Sequence, residues 1–148
     1  MELHIKDLEN KNHKNDGSFG VFFYKGEKFT GKVYDTFDER ISWIFNVKDG
    51  VQSGVEESYY EGTDVLEQVA EYENNMQFGV SKEFSEDGDL QTISVVWNNA
   101  YLKTIFLENS KIIKKENSFD LNKITYPEKI LVLLNLSNKD LINYKFNE

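Results

Sequence analysis

The chain has 148 residues, a formal net charge of −9, one proline and no cysteine. This length predicts one domain with a buried core, and the absence of cysteine excludes disulfides and thiolate metal sites. The excess of negative charge argues against nucleic acid and anionic membrane surfaces as partners.

Residues 1–18 form a polar lead-in to the domain. Within it, Leu3, Ile5 and Leu8 suit either a short first strand or a loose segment. The first residues lack the basic and apolar stretches of a signal peptide, so we expect a cytoplasmic protein. Both histidines of the chain lie in this lead-in without other metal-ligating neighbours, which favours a solvated role over metal binding or catalysis.

From residue 19 onward, turn signals recur about every twelve residues between short runs of aromatic and β-branched residues. This pattern predicts an antiparallel β-meander. The predicted turns are Lys25-Gly26, Asp38-Glu39, Asp49-Gly50, Glu61-Gly62, Asn74-Asn75, Asp87-Gly88, Asn98-Asn99 and Asn109-Ser110. The predicted strands are residues 19–24, 32–37, 41–47, 55–60, 65–72, 80–84, 90–97, 104–107 and 112–115. The predicted fold class is therefore mainly β, with a single curved sheet over residues 19–116.

A second period lies on top of the first, because alternate turns are followed by a further glycine. Gly31, Gly54 and Gly79 are separated by 23 and then 25 residues, a spacing typical of repeat proteins. We expect at least one of Gly54 and Gly79 to have a positive φ or a close neighbour. Valine at such a position would cost about 1–3 kcal/mol.

Residues 23–34 read Phe-Tyr-Lys-Gly-Glu-Lys-Phe-Thr-Gly-Lys-Val-Tyr. This segment resembles the MORN-type repeat, whose unit reads roughly Tyr-x-Asn-Gly-x-x-x-Gly-x-aromatic. Residues 72–80 and 84–90 resemble it too, and the resemblance covers about residues 19–116. It is closest to the bacterial variant found in YwqK-type antitoxins and related immunity proteins. The resemblance implies stacked two-stranded units in one sheet and a function in binding a toxin.

The negative charge is concentrated in the central repeats. Residues 1–49 carry a net charge of −1 and residues 101–148 a net charge of +2. Residues 50–100 carry eleven acidic side chains and one basic side chain, Lys82, which gives a net charge of −10. A field of one sign over one surface attracts basic partners.

The tail, residues 117–148, changes character. Pro127 and Glu128 have the order expected at a helix start, and Ser137 resembles the N-cap of a second short helix. The alternative is a buried strand over residues 130–136. We predict a short C-terminal helical cap that covers the last strand of the sheet, because an open edge invites aggregation.

The sequence contains no recognisable catalytic constellation. Among eleven carboxylates in 51 residues, pairs such as Glu56/Glu57 or Glu71/Glu73 are expected by chance, which argues against a glycosidase dyad. The run from Glu86 to Asp89 lacks the alternating ligands of a calcium loop and predicts a polar turn. We therefore predict that the chain is not an enzyme and has no catalytic residues, cofactor or metal.

The leading hypothesis is an immunity protein or antitoxin that binds a cognate, basic toxin and occludes its active site. Acidic charge would steer association and mimic an anionic substrate. The partner-binding residues that we predict are Glu56, Glu57, Tyr59, Glu61, Asp64, Glu67, Glu71, Glu73 and Trp97. The alternative is a structural repeat module that binds other proteins without a toxin partner. The sequence leaves the oligomeric state open.

Overall fold

The structure is a computed structural model that describes residues 1–11 and 20–147. It confirms the mainly β prediction, since one long open sheet of nine strands runs as a meander and two short helices follow it. The strands are β1 (Glu2–His4), β2 (Glu9–Lys11), β3 (Val21–Tyr24), β4 (Glu27–Lys28), β5 (Gly31–Phe37), β6 (Arg40–Lys48), β7 (Val51–Tyr59), β8 (Leu66–Glu73), β9 (Met76–Phe84), β10 (Leu90–Trp97), β11 (Ala100–Glu108) and β12 (Lys111–Asn117). A 3₁₀ turn spans Ile5–Asp7, and the helices are α1 (Glu128–Leu134) and α2 (Asn138–Ile142).

The long sheet has the strand order β1-β5-β6-β7-β8-β9-β10-β11-β12. Strand β1 runs parallel to β5, and the other neighbours are antiparallel. Strands β2, β3 and β4 form a separate small sheet. The lead-in thus supplies two strands, whereas the predicted strand start at Phe19 and the second histidine, His13, lie outside the described residues.

All eight predicted turns reverse the chain between paired antiparallel strands. At six of them both turn residues have a positive φ, which is the geometry of tight two-residue hairpins that match strand twist. The turns at Glu61-Gly62 and Asp87-Gly88 instead lie within longer loops, residues 60–65 and 85–89. Residues 20–116 contain strands and turns and no helix, as the repeat pattern predicts.

Hydrogen bonds at one end of the sheet recur with a spacing similar to the second period of the sequence. The Asn75 backbone N–H donates to the Gln52 carbonyl, and the Asn75 side-chain oxygen accepts from the Gln52 N–H at 2.7 Å. Asn99 and Gln77 repeat this exchange one unit later, with the Gln77 N–H donating to the Asn99 side chain at 2.9 Å. These hydrogen bonds connect neighbouring repeats at one end of the sheet.

Strand register assigns each side chain to one of two faces, because successive residues on a strand point to opposite sides. The front face carries one row of partners: Val33, Phe45, Glu56, Ala70 and Ser81. The back face carries the adjacent row: Ile44, Glu57, Val69, Lys82 and Ile93.

The two faces are covered at opposite ends of the strand order. The small sheet lies on the front of β5 and β6, where Phe22 packs against Phe45 with ring centroids 5.7 Å apart. The two helices lie on the back of β9 to β11, where Ile130 and Leu141 join a buried cluster that contains Ile93. Among the described residues, this arrangement leaves the back of β5 to β7 without a covering element.

The tail is helical, which resolves the helix or strand alternative. The Ser137 side chain caps α2 by accepting from the Asp140 N–H at 3.1 Å, as predicted. The expected position of the cap is wrong, since α1 packs on β9 and β10 and all seven residues of β12 are exposed. The reason is apolar surface: the back of β9 to β11 offers it, whereas β12 carries lysines that discourage edge pairing.

Candidate functional site

Acidic residues that the sequence spreads from Asp38 to Asp89 converge at one end of the sheet. A meander returns to the same end at every second turn, and here the turns after β5, β7 and β9 lie together. We refer to the following exposed residues as the acidic end: Asp38, Glu39, Glu61, Asp64, Glu67, Glu83, Glu86, Asp87 and Asp89. No Lys or Arg lies within these three turns, and Arg40 directly follows the first.

Two shallow grooves at the acidic end share Tyr60 and Glu67. The larger groove, about 530 Å³, is lined by Tyr60, Glu61, Thr63, Glu67 and Glu86. The smaller groove, about 290 Å³, is lined by Ser58, Tyr60, Glu67, Gln68, Glu83, Phe84 and Gln91. The Tyr60 hydroxyl donates to the Phe84 carbonyl at 2.5 Å, which fixes the ring between the grooves.

The carboxylates around Tyr60 are not neutralised within the described part of the chain. There, no Lys, Arg or His nitrogen comes within 4.0 Å of the carboxylates of Glu61, Glu67, Glu83 or Glu86. Partial burial raises the pKa of the Tyr60 phenol, and the negative charges of Glu67, Glu86 and Glu83 raise it further. The grooves therefore present concentrated negative charge beside an aromatic ring.

A separate cup of about 540 Å³ lies on the back face of the sheet. It is lined by Lys32, Arg40, Ile41, Ile44, Asn46, Val55, Glu57, Tyr59 and Asp64. The Tyr59 hydroxyl donates to the Glu57 carboxylate at 2.6 Å, and Arg40 forms an ion pair with Asp64 at 3.0 Å. Ile44 and the buried Val55 contribute apolar surface, so the cup combines an apolar part with polar groups, as binding pockets do.

The structure brings five of the predicted partner-binding residues to these two sites. Glu57, Tyr59 and Asp64 line the cup, and Glu61 and Glu67 line the grooves at the acidic end. The remaining predicted residues are Glu56, Glu71, Glu73 and Trp97. Glu73 is exposed at the opposite end of the sheet, in another groove.

Glu56 is an interior residue on the front face and is only 8% exposed. The Gln52 side-chain amide donates to its carboxylate at 2.6 Å, and Trp43 and Tyr72 are also hydrogen-bond partners. Burial raises the pKa of Glu56 despite these hydrogen bonds, which lower it. Its carboxyl group therefore belongs to a buried polar network and not to the surface that a partner would contact.

The raised pKa of Glu56 predicts a specific dependence of stability on pH. A folded-state pKa above the unfolded value means that the folded chain holds the proton more tightly. The contribution of Glu56 to the free energy of unfolding is therefore fully present below about pH 4.5. It is lost as the pH rises through the folded-state pKa. We expect Glu56→Gln to remove this loss, and urea unfolding of both proteins between pH 4 and 8 measures it. Parallel pH profiles of the variant and the unmodified chain would contradict this prediction.

Glu71 is tied to the C-terminal segment and is not a free surface carboxylate. It accepts from the Val80 backbone N–H at 2.9 Å and from the Tyr144 hydroxyl at 3.0 Å, and Lys129 lies 3.6 Å away. The neighbouring Lys82 donates to the carbonyls of Ile142 and Tyr144 at 3.0 and 2.8 Å. These contacts correct the expectation that Glu71 shares a binding surface with Glu67, since they fasten the tail to the sheet.

Trp97 packs inward as well. Its ring meets Tyr126 edge-on with centroids 5.3 Å apart, and it borders the buried cluster beneath the helices.

Sequence reasoning missed Tyr60, Glu83, Glu86 and Ile44 as site residues. The alternation of turns between the two ends of a meander would have grouped Glu61, Glu67, Glu83 and Glu86, because all four lie at or beside every second turn.

No group of three or more His, Cys, Asp or Glu side chains with the geometry to hold a metal ion occurs among residues 1–11 and 20–147. No helix in the same part of the chain combines the length and the apolar character needed to cross a bilayer. Comparisons with protein-family models, with curated proteins and with solved structures found no match. The resemblance to MORN-type repeats thus stays a prediction from the sequence.

Proposed function

We propose that this chain is a non-enzymatic immunity protein or antitoxin that neutralises a basic protein toxin by covering its active site. The observation that carries the proposal is the set of carboxylates around Tyr60 that no basic side chain of residues 1–11 and 20–147 neutralises: Glu61, Glu67, Glu83 and Glu86. A cationic cleft that normally binds an anionic substrate would be attracted to such a surface. The resemblance to antitoxin repeats supports the same reading.

The proposal separates the roles of charge and of apolar contact. Carboxylates that stay hydrated at the rim of an interface act mainly on the association rate. Tyr60 combines a rigid ring with a polar tip and lies between the two grooves, which suits an anchor near the centre of an interface. The cup on the back face lies near the acidic end, because Asp64 is one of the residues of the acidic end and also lines the cup.

The first experiment identifies the partner by co-purification from the native host, with the product of the adjacent reading frame as the first candidate. A test variant then reverses three carboxylates at the acidic end: Glu61→Lys, Glu67→Lys and Glu86→Lys. A control variant makes the same change in net charge elsewhere on the exposed surface: Glu2→Lys, Glu27→Lys and Glu116→Lys.

We expect the test variant to associate with the partner at least about tenfold more slowly at low salt, and the control to change the rate far less. The difference should shrink as salt rises, because exposed charges are screened over about 8–10 Å near physiological ionic strength. Stopped-flow measurements at several salt concentrations give the association rates and their salt dependence. Thermal unfolding checks that the variants fold. Equal rates for the two variants would exclude the acidic end as the site of contact.

A further inference from the structure

The cup on the back face contains a carboxylate in an unusual setting. Glu57 is half-buried, and its strand partners on the two sides are the apolar Ile44 and Val69. Tyr59 donates one hydrogen bond to it, and no basic nitrogen of the described residues comes within 4.0 Å. Such a carboxylate has lone pairs left to accept hydrogen bonds from a positive group, which would also compensate its charge.

The two basic residues of the cup do not supply that compensation. Arg40 is paired with Asp64 at 3.0 Å. Lys32 pairs in register with Asn46, whereas Glu57 pairs with Ile44, so Lys32 and Glu57 are two strands and one side-chain row apart. This corresponds to roughly 12 Å between their Cα atoms.

We infer that the cup is a receptor for one arginine side chain of the basic partner. The inference rests on the proposed function, that the chain binds a basic protein. The methylene groups of the arginine would lie on Ile44 and Val55, and its guanidinium would meet Glu57 beside the Tyr59 ring. A guanidinium suits this setting better than an ammonium, because it is planar, weakly hydrated and able to bond a carboxylate with two N–H groups.

The experiment uses the full chain with N-acetyl-arginine amide as the probe, observed through backbone amide shifts by NMR. N-acetyl-citrulline amide is the matched control ligand, because it has the same shape without the charge. Glu57→Gln is the test variant, since glutamine keeps the size and can still accept from Tyr59. Glu27→Gln is the control variant, because Glu27 is an exposed carboxylate outside the cup.

We expect the arginine probe to shift the amides around Ile44, Val55 and Glu57, and the citrulline probe to leave them unchanged. Glu57→Gln should raise the Kd of the arginine probe at least about tenfold, and Glu27→Gln should not change it. Equal shifts with citrulline, or shifts confined to the acidic end, would overturn the inference.

The outcomes also separate this inference from the proposed function. If arginine fails to enter the cup but the Glu61, Glu67 and Glu86 reversal still slows association with the toxin, only the cup assignment falls. If arginine enters the cup and no basic partner is sensitive to either set of variants, the antitoxin proposal falls and the cup remains a guanidinium site.

Discussion

Replacing Gly79 with alanine is expected to destabilise the protein by about 3 kcal/mol. Gly79 has φ of 131°, a conformation that residues with a Cβ rarely adopt. A Cβ atom built there would fall 3.0 Å from the Lys129 Nζ and closer still to Glu71 Oε1. The substitution therefore combines backbone strain with displacement of the carboxylate that holds the tail, two costs of about 1–3 kcal/mol each that overlap.

Gly88→Ala is the matched control for this substitution. Gly88 also has a positive φ, 88°, but nothing lies within 4 Å of the Cβ position. Gly88→Ala should therefore lower the free energy of unfolding by about 1 kcal/mol, from backbone strain alone. Urea unfolding of the two variants and the unmodified chain measures the difference. Equal losses would show that the contact with Glu71 contributes nothing. The positive φ of both Gly54 and Gly79 already confirms the sequence-based expectation for these positions.

Replacing Glu71 with alanine is expected to cost about 2–4 kcal/mol. The loss leaves the Val80 N–H, the Tyr144 hydroxyl and the Lys129 ammonium without their shared acceptor, and the Glu71 side chain is only 11% exposed. Removing one partner of buried polar groups costs more than the net value of the hydrogen bonds, because the remaining groups stay desolvated. Hydrogen exchange should show faster opening of α2 in this variant.

Glu67→Ala is the control, since Glu67 is on the same strand and the same side but is exposed. It should change the free energy of unfolding by less than about 0.5 kcal/mol. Tyr144→Phe, made once alone and once together with Glu71→Ala, completes a double-mutant cycle. A coupling energy of zero would mean that the tail is fastened by Lys82 and apolar packing alone.

The turns and the repeat period of this protein follow from the sequence by itself. Tight hairpins require positive φ, which Gly, Asn and Asp tolerate best, so pairs such as Asn74-Asn75 and Asn98-Asn99 mark chain reversals. The proline and the capping serine of the tail likewise predict its helices, because they act within one turn of the chain. These signals act between residues that are close together in the chain, so they can be recognised from the sequence without the tertiary structure.

The faces and ends of the sheet are decided only by the tertiary structure. Alternation predicts that Glu56 and Glu57 point to opposite sides, but the sequence does not tell which side at β7 a covering element reaches. The small sheet and the helices cover opposite faces, so Glu56 becomes interior and Glu57 lines an open cup. Glu71 is hidden for a similar reason, because Tyr144, 73 residues later, folds back onto it. Contacts between residues so far apart in the chain depend on how the layers pack, and no spacing in the sequence encodes them.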